Sequence, residues 1–404
     1  MVDTRGEADP GKSERIHALD GLRTMMLSFV ILYHCVLSYI VTPSRNWTFK
    51  DEMTTLVADL IVRLIHAFTL PTFFMMAGFF SAMLYLRRGG AEFARNRAAR
   101  IAVPFAVAWM ILHPIVGAGF VFANAAQTGS LSDGIAAVGT SLADGSVLFR
   151  DSTMHLWFMY DLIFFYAAIL ALAPIILSAP ARWREAALAA FGFVLARSWL
   201  RLPILGLITF GMLRMVGGTL YASLSFVPNW RLLLGYGMYF GIGWLLYLKR
   251  EHIPKFERFA WTHVLMGLVI FFIIDPALRL GLLTGGPVSR FTVLLWSTIA
   301  GATMVWLFFF GLTGLFLRHF NRPSPAIRYV VDAAFWIYLV HLPLAIWLPG
   351  AFSTLALPAG IKILMVLAIT YVVGFVSYDL FVRSTMVGST LSGRRYPRVI
   401  FGTA

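Results

Sequence analysis

Apolar runs of about 20 residues recur along the whole of this 404-residue chain. An α-helix of ~20 residues is what crossing the hydrocarbon core of a bilayer requires. Backbone groups in lipid must be satisfied within the segment, so such runs fold as helices. The sequence therefore predicts an all-α integral membrane protein with about ten transmembrane helices in one bundle. The candidate spans lie near residues 19–41, 57–86, 101–124, 154–178, 185–207, 229–248, 260–281, 291–317, 328–350 and 357–383.

Charge supports this interpretation and excludes several classes of function. Only 13% of the residues are charged, whereas a soluble protein of this size carries roughly twice that fraction. The net charge of +14 is dispersed in short clusters between spans, so no basic domain for nucleic acid is indicated. The single cysteine, Cys35, excludes an intramolecular disulfide and a multi-cysteine metal site. Nothing in the sequence indicates an oligomeric state.

Lysine and arginine predict the orientation in the membrane. With both tails counted, 21 of them are assigned to the side of the N-terminus and ten to the other side, among them Arg197 and Arg201. Because cytoplasmic loops are enriched in these residues, both termini are expected in the cytoplasm. The predicted organisation is an N-terminal tail over 1–18, a transmembrane domain over 19–383 and a C-terminal tail over 384–404. Pro71 and Gly78 predict a kink in the second span.

The first span, LDGLRTMMLSFVILYHCVLSYIV, contains two ionisable residues eleven positions apart, Arg23 and His34. Three helical turns take ~10.8 residues, so both side chains lie within ~20° on one face, separated by ~16 Å along the axis. Asp20 is spaced to pair with Arg23. Ionisable groups inside a bilayer usually mark sites or pathways. We interpret this stripe as functional, with His34 as a general base near neutral pH.

Three further histidines are expected at similar depth, His66, His155 and His341, and they could converge with His34 on one cavity. The alternative is that each is a hydrogen-bonded packing residue. No histidine pair has the i, i+4 spacing of a metal site, so no metal is predicted. His113 lies near a span end and is expected at the membrane interface.

Asp161 is the clearest carboxylate inside a span, in HLWFMYDLIFFY. It could orient a histidine or pair with an arginine such as Arg63, and a purely structural ion pair is the alternative. Trp157, in the same segment, fits either an interfacial aromatic belt or a surface that stacks on sugar rings.

A cluster of arginines occupies LRRGGAEFARNRAARIAVP, residues 86–104. One interpretation is an anchor for anionic lipid head groups. The other is a dock for a phosphorylated cytosolic donor, because guanidinium groups match phosphate geometry. With Arg23 on the same side, the cluster would form a cationic mouth leading to His34. The candidate donor-binding residues are Arg87, Arg88, Arg97 and Arg100, of which Arg97 and Arg100 stand one turn apart.

Five motifs in order resemble the acyltransferase 3 family of membrane acyltransferases: LDGLR with His34, IHAFTLPTFFMMAGFFSAMLYLR, FARNRAARIAVP, HLWFMYDL and FWIYLVHLPL. The likeness is greatest to the OpgC/MdoC branch, which succinylates osmoregulated periplasmic glucans. This chain has Thr69 before Leu70 and Pro71, where many members have histidine or arginine.

The resemblance implies an enzyme of the bacterial inner membrane with an acyl-CoA donor, succinyl-CoA or acetyl-CoA, and no tightly bound cofactor. It implies a periplasmic glucan or another glycan as acceptor, His34 as the catalytic histidine, and Arg23, Arg97 and Arg100 on the donor side. An acyl-histidine relay through His34 is an alternative to direct transfer. Acetylation of another cell-surface polysaccharide and a proton-coupled transporter remain alternative functions.

Overall fold

The structure is a computed structural model that describes residues 17–44, 46–148, 151–274, 276, 289–320, 322 and 324–400. The tail before residue 17, Arg45, Arg150, Arg279 and the end of the seventh predicted span lie outside the described residues. The described residues are largely helical and contain no strand, which confirms the all-α class.

Thirteen α-helices lie within the described ranges. Their bounds are α1 His17–Val36, α2 Leu56–Arg97, α3 Val103–Thr128, α4 Leu131–Ala143, α5 Trp157–Ser178, α6 Ala181–Ala196, α7 Ser198–Val216, α8 Trp230–Leu248, α9 Ala260–Val269, α10 Arg290–His319, α11 Pro325–Phe352, α12 Ala359–Ser377 and α13 Met386–Ser392. Short 3₁₀ or π-helical turns extend several of them, including a π-helical turn at Ala98–Ala102 between α2 and α3.

Eight helical segments of the described chain are long and apolar enough to cross a membrane. The predicted count of about ten is not confirmed by this measure. One of the eight, Leu56–Thr128, is 73 residues long and contains both the second and the third predicted spans. The sixth predicted span is the 19-residue α8, which is not among the eight.

The fifth predicted span, 185–207, is wrong in its bounds. The helix breaks at Arg197, whose backbone is extended, and the apolar segment long enough to cross is α7. Arg201, in the first turn of α7, lies between the rings of Phe256 and Phe310. Phe256 belongs to the segment between α8 and α9, which the sequence assigns to the side of the N-terminus, whereas it assigns Arg201 to the other side. The predicted span placed Arg201 near its end, but α6 ends at Ala196 and Arg201 lies at the beginning of the next helix. Arg201 was therefore assigned to the wrong end of the bundle.

Glycines allow α2 and α8 to approach closely. A Cβ atom on Gly243 would lie 1.9 Å from the carbonyl oxygen of Met75, and one on Gly78 would lie 1.9 Å from that of Phe240. Small residues are what permit such backbone contact between membrane helices. Gly78 thus packs against α8, and the non-helical residue in α2 is Gly89, with φ of 79°, a conformation that favours glycine.

We expect Gly243→Ala to destabilise the bundle by about 1–3 kcal/mol, because the added methyl group overpacks the contact with α2. Gly241→Ala is the matched control, since a Cβ there meets nothing within 4 Å. Thermal unfolding of the two variants in detergent measures the difference. Equal melting temperatures would contradict the close contact.

The 40–55 loop folds over the C-terminal end of α1. Its Asp51 forms a buried ion pair with Lys362 of α12, with Lys362 Nζ 3.0 and 2.9 Å from the two carboxylate oxygens. The backbone N–H of Asp51 also donates to Ser38 O at 2.8 Å. Trp47 Nε1 donates to Ser38 Oγ at 3.0 Å. These contacts fix the indole of Trp47 above the first span.

Candidate active site

A cavity of about 880 Å³ runs along the inner face of α1, lined by residues from Asp20 near its start to Leu37 just past its end. Its wall is completed by α2, α3, α5, α11 and the C-terminal segment. One end carries charged side chains and will be called the arginine end: Asp20, Arg23, Arg87, Arg88, Arg97, Arg100, Arg328, Asp332 and Arg394. The opposite end is lined by Ser44, Asn46, Trp47, Thr48, His113 and Ser152.

Three of the four predicted histidines meet at this cavity. The ring centroids of His34 and His341 are 5.0 Å apart, those of His155 and His341 5.0 Å, and those of His34 and His155 6.3 Å. They come from α1, from the 3₁₀ turn that precedes α5, and from α11. His34 and His155 line the cavity, whereas His341 lies behind them and is fully buried.

Hydrogen bonds define the tautomers of His341 and His34. His341 Nδ1 lies 2.6 Å from the Tyr338 carbonyl oxygen, which only accepts, so this nitrogen carries the hydrogen. In a neutral imidazole the other nitrogen then accepts. His341 Nε2 therefore accepts from His34 Nδ1, at 3.1 Å. His34 Nδ1 also lies 2.9 Å from Val30 O, which requires the same hydrogen.

This arrangement leaves Nε2 of His34 unprotonated in a neutral ring. A lone pair on a ring that lines the cavity can accept a proton from a bound hydroxyl or attack a carbonyl carbon. The hydrogen bond between His34 Nδ1 and His341 Nε2 helps to fix the orientation of the His34 ring.

His155 is fixed from α11. Its Nε2 donates to Leu339 O at 3.0 Å, and its own carbonyl accepts from Tyr338 Oη at 2.7 Å. Its Nδ1 is buried and meets no hydrogen-bond partner among the described residues. His155 thus presents an unsatisfied acceptor within the cluster.

The other predicted residues are placed differently. His66 lines the cavity but makes no ring contact or hydrogen bond with the other three histidines in the described chain. Trp157 also lines it, although its ring packs mainly against Tyr236 and Phe74. Asp161 is only 7% exposed, does not line the cavity, and forms no ion pair with Arg63 among the described residues. The structure therefore does not bring Asp161 to the histidines.

The arginines of this end differ in how they are neutralised. Arg23 pairs with Asp20, 3.6 Å away, as the spacing predicts, and Arg88 lies 4.0 Å from Glu92. Arg87 Nε donates to Tyr247 Oη at 3.3 Å. The guanidinium groups of Arg23, Arg87 and Arg88 are therefore at least partly paired within the protein.

Arg97 and Arg100 are not neutralised in this way. Arg97 ends α2 and stacks on Phe93 and Tyr166, with a buried Nε that meets no partner in the described chain. Arg100, in the π-helical turn, is close enough to Arg97 and Arg88 to feel their charges. Neither Arg97 nor Arg100 has a carboxylate within ion-pair distance among the described residues. Clustered positive charge without acidic partners is an arrangement that favours an anionic ligand.

A comparison with protein families identifies the kind of protein. The family described as acyltransferase domain, acyltransferase 3, matches residues 16–379. The chain belongs to the acyltransferase 3 family. This confirms the resemblance drawn from the five motifs and, at the level of the family, the prediction of an acyltransferase. With its apolar helices, this acyltransferase 3 protein is a multi-pass membrane protein.

Individual relatives match a shorter stretch. The protein called glucans biosynthesis protein C of Escherichia coli K12 is 29% identical over 104 residues, which is 26% of this chain and 26% of that protein. The proteins of the same name from the E. coli strains O139:H28 and O9:H4 give the same identity and coverage. The chain thus matches about a quarter of the length of these relatives. No solved structure matches significantly.

Several residues at the cavity of this acyltransferase 3 protein were not found from the sequence. His113, expected at the interface, is buried and stacks on Trp109 with ring centroids 5.1 Å apart. The ring of Trp47 lies 6.1 Å from that of His34 between centroids, whereas the sequence predicts Trp47 only as part of an interfacial aromatic belt. Arg394 and Tyr396 reach the arginine end from the predicted tail. The only available signal was their residue type, because loop and tail folding is not periodic.

Proposed function

We propose that this acyltransferase moves an acyl group from acyl-CoA at the arginine end to a hydroxyl of a glycan at the opposite end. The observation that carries the proposal is the single cavity that joins Arg97 and Arg100 to His34. We infer that the acyl group is succinyl and the acceptor a periplasmic glucan. The similarity to glucans biosynthesis protein C supports the glucan.

The proposed location is the bacterial inner membrane, with both termini and the arginine end in the cytoplasm. The excess of lysine and arginine on that side supports the orientation. Acyl-CoA is made in the cytoplasm, whereas a periplasmic glucan lies across the membrane. A cavity that reaches both ends of the bundle lets the two substrates meet without either one crossing completely.

The donor is expected to bind by its phosphates. Coenzyme A carries several phosphate groups, and its pantetheine arm is long and extended. With the phosphates at Arg97 and Arg100, the arm follows the face of α1, where Arg23 and His34 are ~16 Å apart along the axis. Leu27, Val30 and Leu70 provide an apolar wall along this path. The thioester is thereby delivered to the histidine cluster.

Acyl transfer then needs one base. Nε2 of His34 takes the proton of the glycan hydroxyl as its oxygen bonds to the thioester carbonyl carbon. The carbon–sulfur bond breaks, and the proton held by His34 passes to the leaving thiolate, giving the glycan ester and free CoA. His341 stabilises the protonated His34 ring by accepting the hydrogen bond from its Nδ1.

The donor site is tested by Arg97→Ala and Arg100→Ala. Each should raise the KM for acyl-CoA by roughly 10- to 100-fold with little change in the KM for the glycan, because a hydrogen bond to a charged group is worth ~1.5–3 kcal/mol. The assay follows thioester consumption by purified protein with an isolated periplasmic glucan as acceptor.

Arg95→Ala is the matched control, because Arg95 pairs with Glu92 and does not line the cavity. It should leave the donor KM unchanged. If the donor KM is unchanged in both the Arg97 and the Arg100 variants, the arginine cluster of residues 86–104 would instead be an anchor for anionic lipid head groups. Absence of thioester consumption by the wild-type protein would contradict the proposed function.

A further inference from the structure

The C-terminal segment 383–400, which we call the strap, folds back across the arginine end. The backbone N–H of Tyr396 donates to Arg383 O at 2.9 Å, and Arg383 Nε donates to Pro397 O at 2.7 Å. Arg398 Nη2 donates to Leu380 O at 3.0 Å. The predicted tail is therefore part of the fold as far as residue 400.

Asp379 anchors the far end of the strap. This residue is fully buried in the π-helical turn that follows α12. Its carboxylate oxygens accept the backbone N–H groups of Val399 at 2.9 Å and of Ile400 at 3.1 Å. Charge-assisted bonds of this kind are stronger than neutral ones. A buried carboxylate thus holds the strap against the transmembrane helices.

The inner face of the strap belongs to the cavity wall. Leu391, Arg394 and Tyr396 line the cavity, whereas the neighbouring Arg395 does not. Tyr396 Oη accepts from Arg328 Nη2 at 2.8 Å, and its ring is flanked by the guanidinium groups of Arg328 and Arg383. Gly393 has a φ of 79°, and the guanidinium group of Arg100 packs directly against its Cα.

The strap therefore lies beside the least neutralised arginines of the cavity. Seven arginines and two aspartates line the arginine end. Arg97 and Arg100 come from the end of α2 and the following turn, and Arg394 comes from the strap that packs on Arg100. A ligand with several phosphate groups would be contacted from both sides there.

We propose that the strap is one wall of the donor site and that Arg394 binds a phosphate of the nucleotide part of the donor. This inference rests on the proposed function, since it assumes a CoA-type donor at the arginine end. It assigns to the C-terminal segment a part in recognising the donor's phosphates, separate from the histidine cluster that handles the acyl group.

The test measures binding of CoA to the purified full-length protein in lipid-free detergent by titration calorimetry. Arg394→Ala should weaken binding by about 10- to 100-fold, as expected for a lost charge-assisted hydrogen bond. Arg395→Ala is the matched control. It also removes one positive charge from the strap, but the side chain of Arg395 is exposed and does not line the cavity. It should bind CoA like the wild type.

Limited trypsin digestion provides a second measurement. Trypsin cuts after Arg394 and Arg395, and saturating CoA should slow this cleavage in the wild type but not in Arg394→Ala, where cleavage after Arg395 still reports on the strap. If the wild type binds CoA and both variants bind it with the same affinity, the proposed role of the strap is overturned and the donor site is not. Failure of the wild type to bind CoA would overturn the donor assignment as well.

Discussion

Replacing His34 with glutamine should lower acyl transfer by ~10²–10⁴-fold, the usual loss on removing a general base. Glutamine keeps a polar side chain of similar size beside His341 but has no basic nitrogen. It cannot accept a proton from a hydroxyl. CoA binding should remain at the wild-type level, because the phosphate-binding charges lie at the arginine end. Single-turnover transfer and CoA binding are measured on the same preparation.

His252→Gln is the matched control, because His252 lies in the segment between α8 and α9 and does not line the cavity. Its transfer rate should equal that of the wild type. Substantial turnover by His34→Gln would contradict the base assignment and move it to His66 or His155, the other histidines of the cluster and of α2 that line the cavity. Incubation with labelled acyl-CoA in the absence of acceptor separates the two mechanisms, since only an acyl-histidine relay leaves label on the protein.

Replacing Lys362 with methionine should destabilise the protein by about 3–5 kcal/mol, the typical cost of leaving a buried charge without its partner. Asp51 and Lys362 are 1% and 0% exposed as residues, so the remaining carboxylate would have no access to water. The 40–55 loop should loosen, and acyl transfer should fall because Trp47 no longer packs on His34. Thermal unfolding in detergent measures the change in stability.

The double variant Asp51→Asn/Lys362→Met should recover much of the loss, because it removes both charges. Lys50→Met is the control, since Lys50 donates to Val41 O at an exposed position on the same loop. A double variant as unstable as Lys362→Met alone would show that the uncompensated charge is not the source of the instability.

The parts of this protein that follow from local periodicity could be predicted from the sequence. Apolar length predicted the all-α membrane class, and helix geometry predicted that Arg23 and His34 share one face, which is the face of α1 that lines the cavity. The five motifs predicted the family. Each of these depends on residues close together in the chain, where the helix repeat fixes the relation.

The parts that depend on how each helix is rotated about its own axis, and so on which face it turns to its neighbours, could not be predicted. Depth in the membrane could be read from the sequence for four histidines and Asp161. The face of α5 that meets the cavity could not, and Asp161, which could have oriented a histidine, does not line the cavity. The hydrogen bond from His34 to His341 joins residues 307 positions apart. The sequence shows that Arg197 interrupts the fifth apolar run, but neither the helix break there nor the strap is marked by hydrophobic periodicity. The strap is held by hydrogen bonds from side chains such as Asp379, Arg383 and Arg398 to backbone groups, and these pairings follow no periodic pattern in the sequence.

The cavity that reaches both ends of the bundle has a consequence for the energetics of the cell. A water-filled passage of this length would let protons and sodium ions dissipate the electrochemical gradient on which a bacterial membrane depends. Its middle is lined by Leu27, Val30, Leu70 and Phe73, and narrow apolar stretches of a pore resist conduction by shedding water. At the end opposite the arginines, Trp47 and Phe120 line the cavity and pack edge-on, with 5.2 Å between their ring centroids. The same apolar lining that is proposed to guide the donor's extended, uncharged arm would therefore also oppose ion conduction through the empty enzyme.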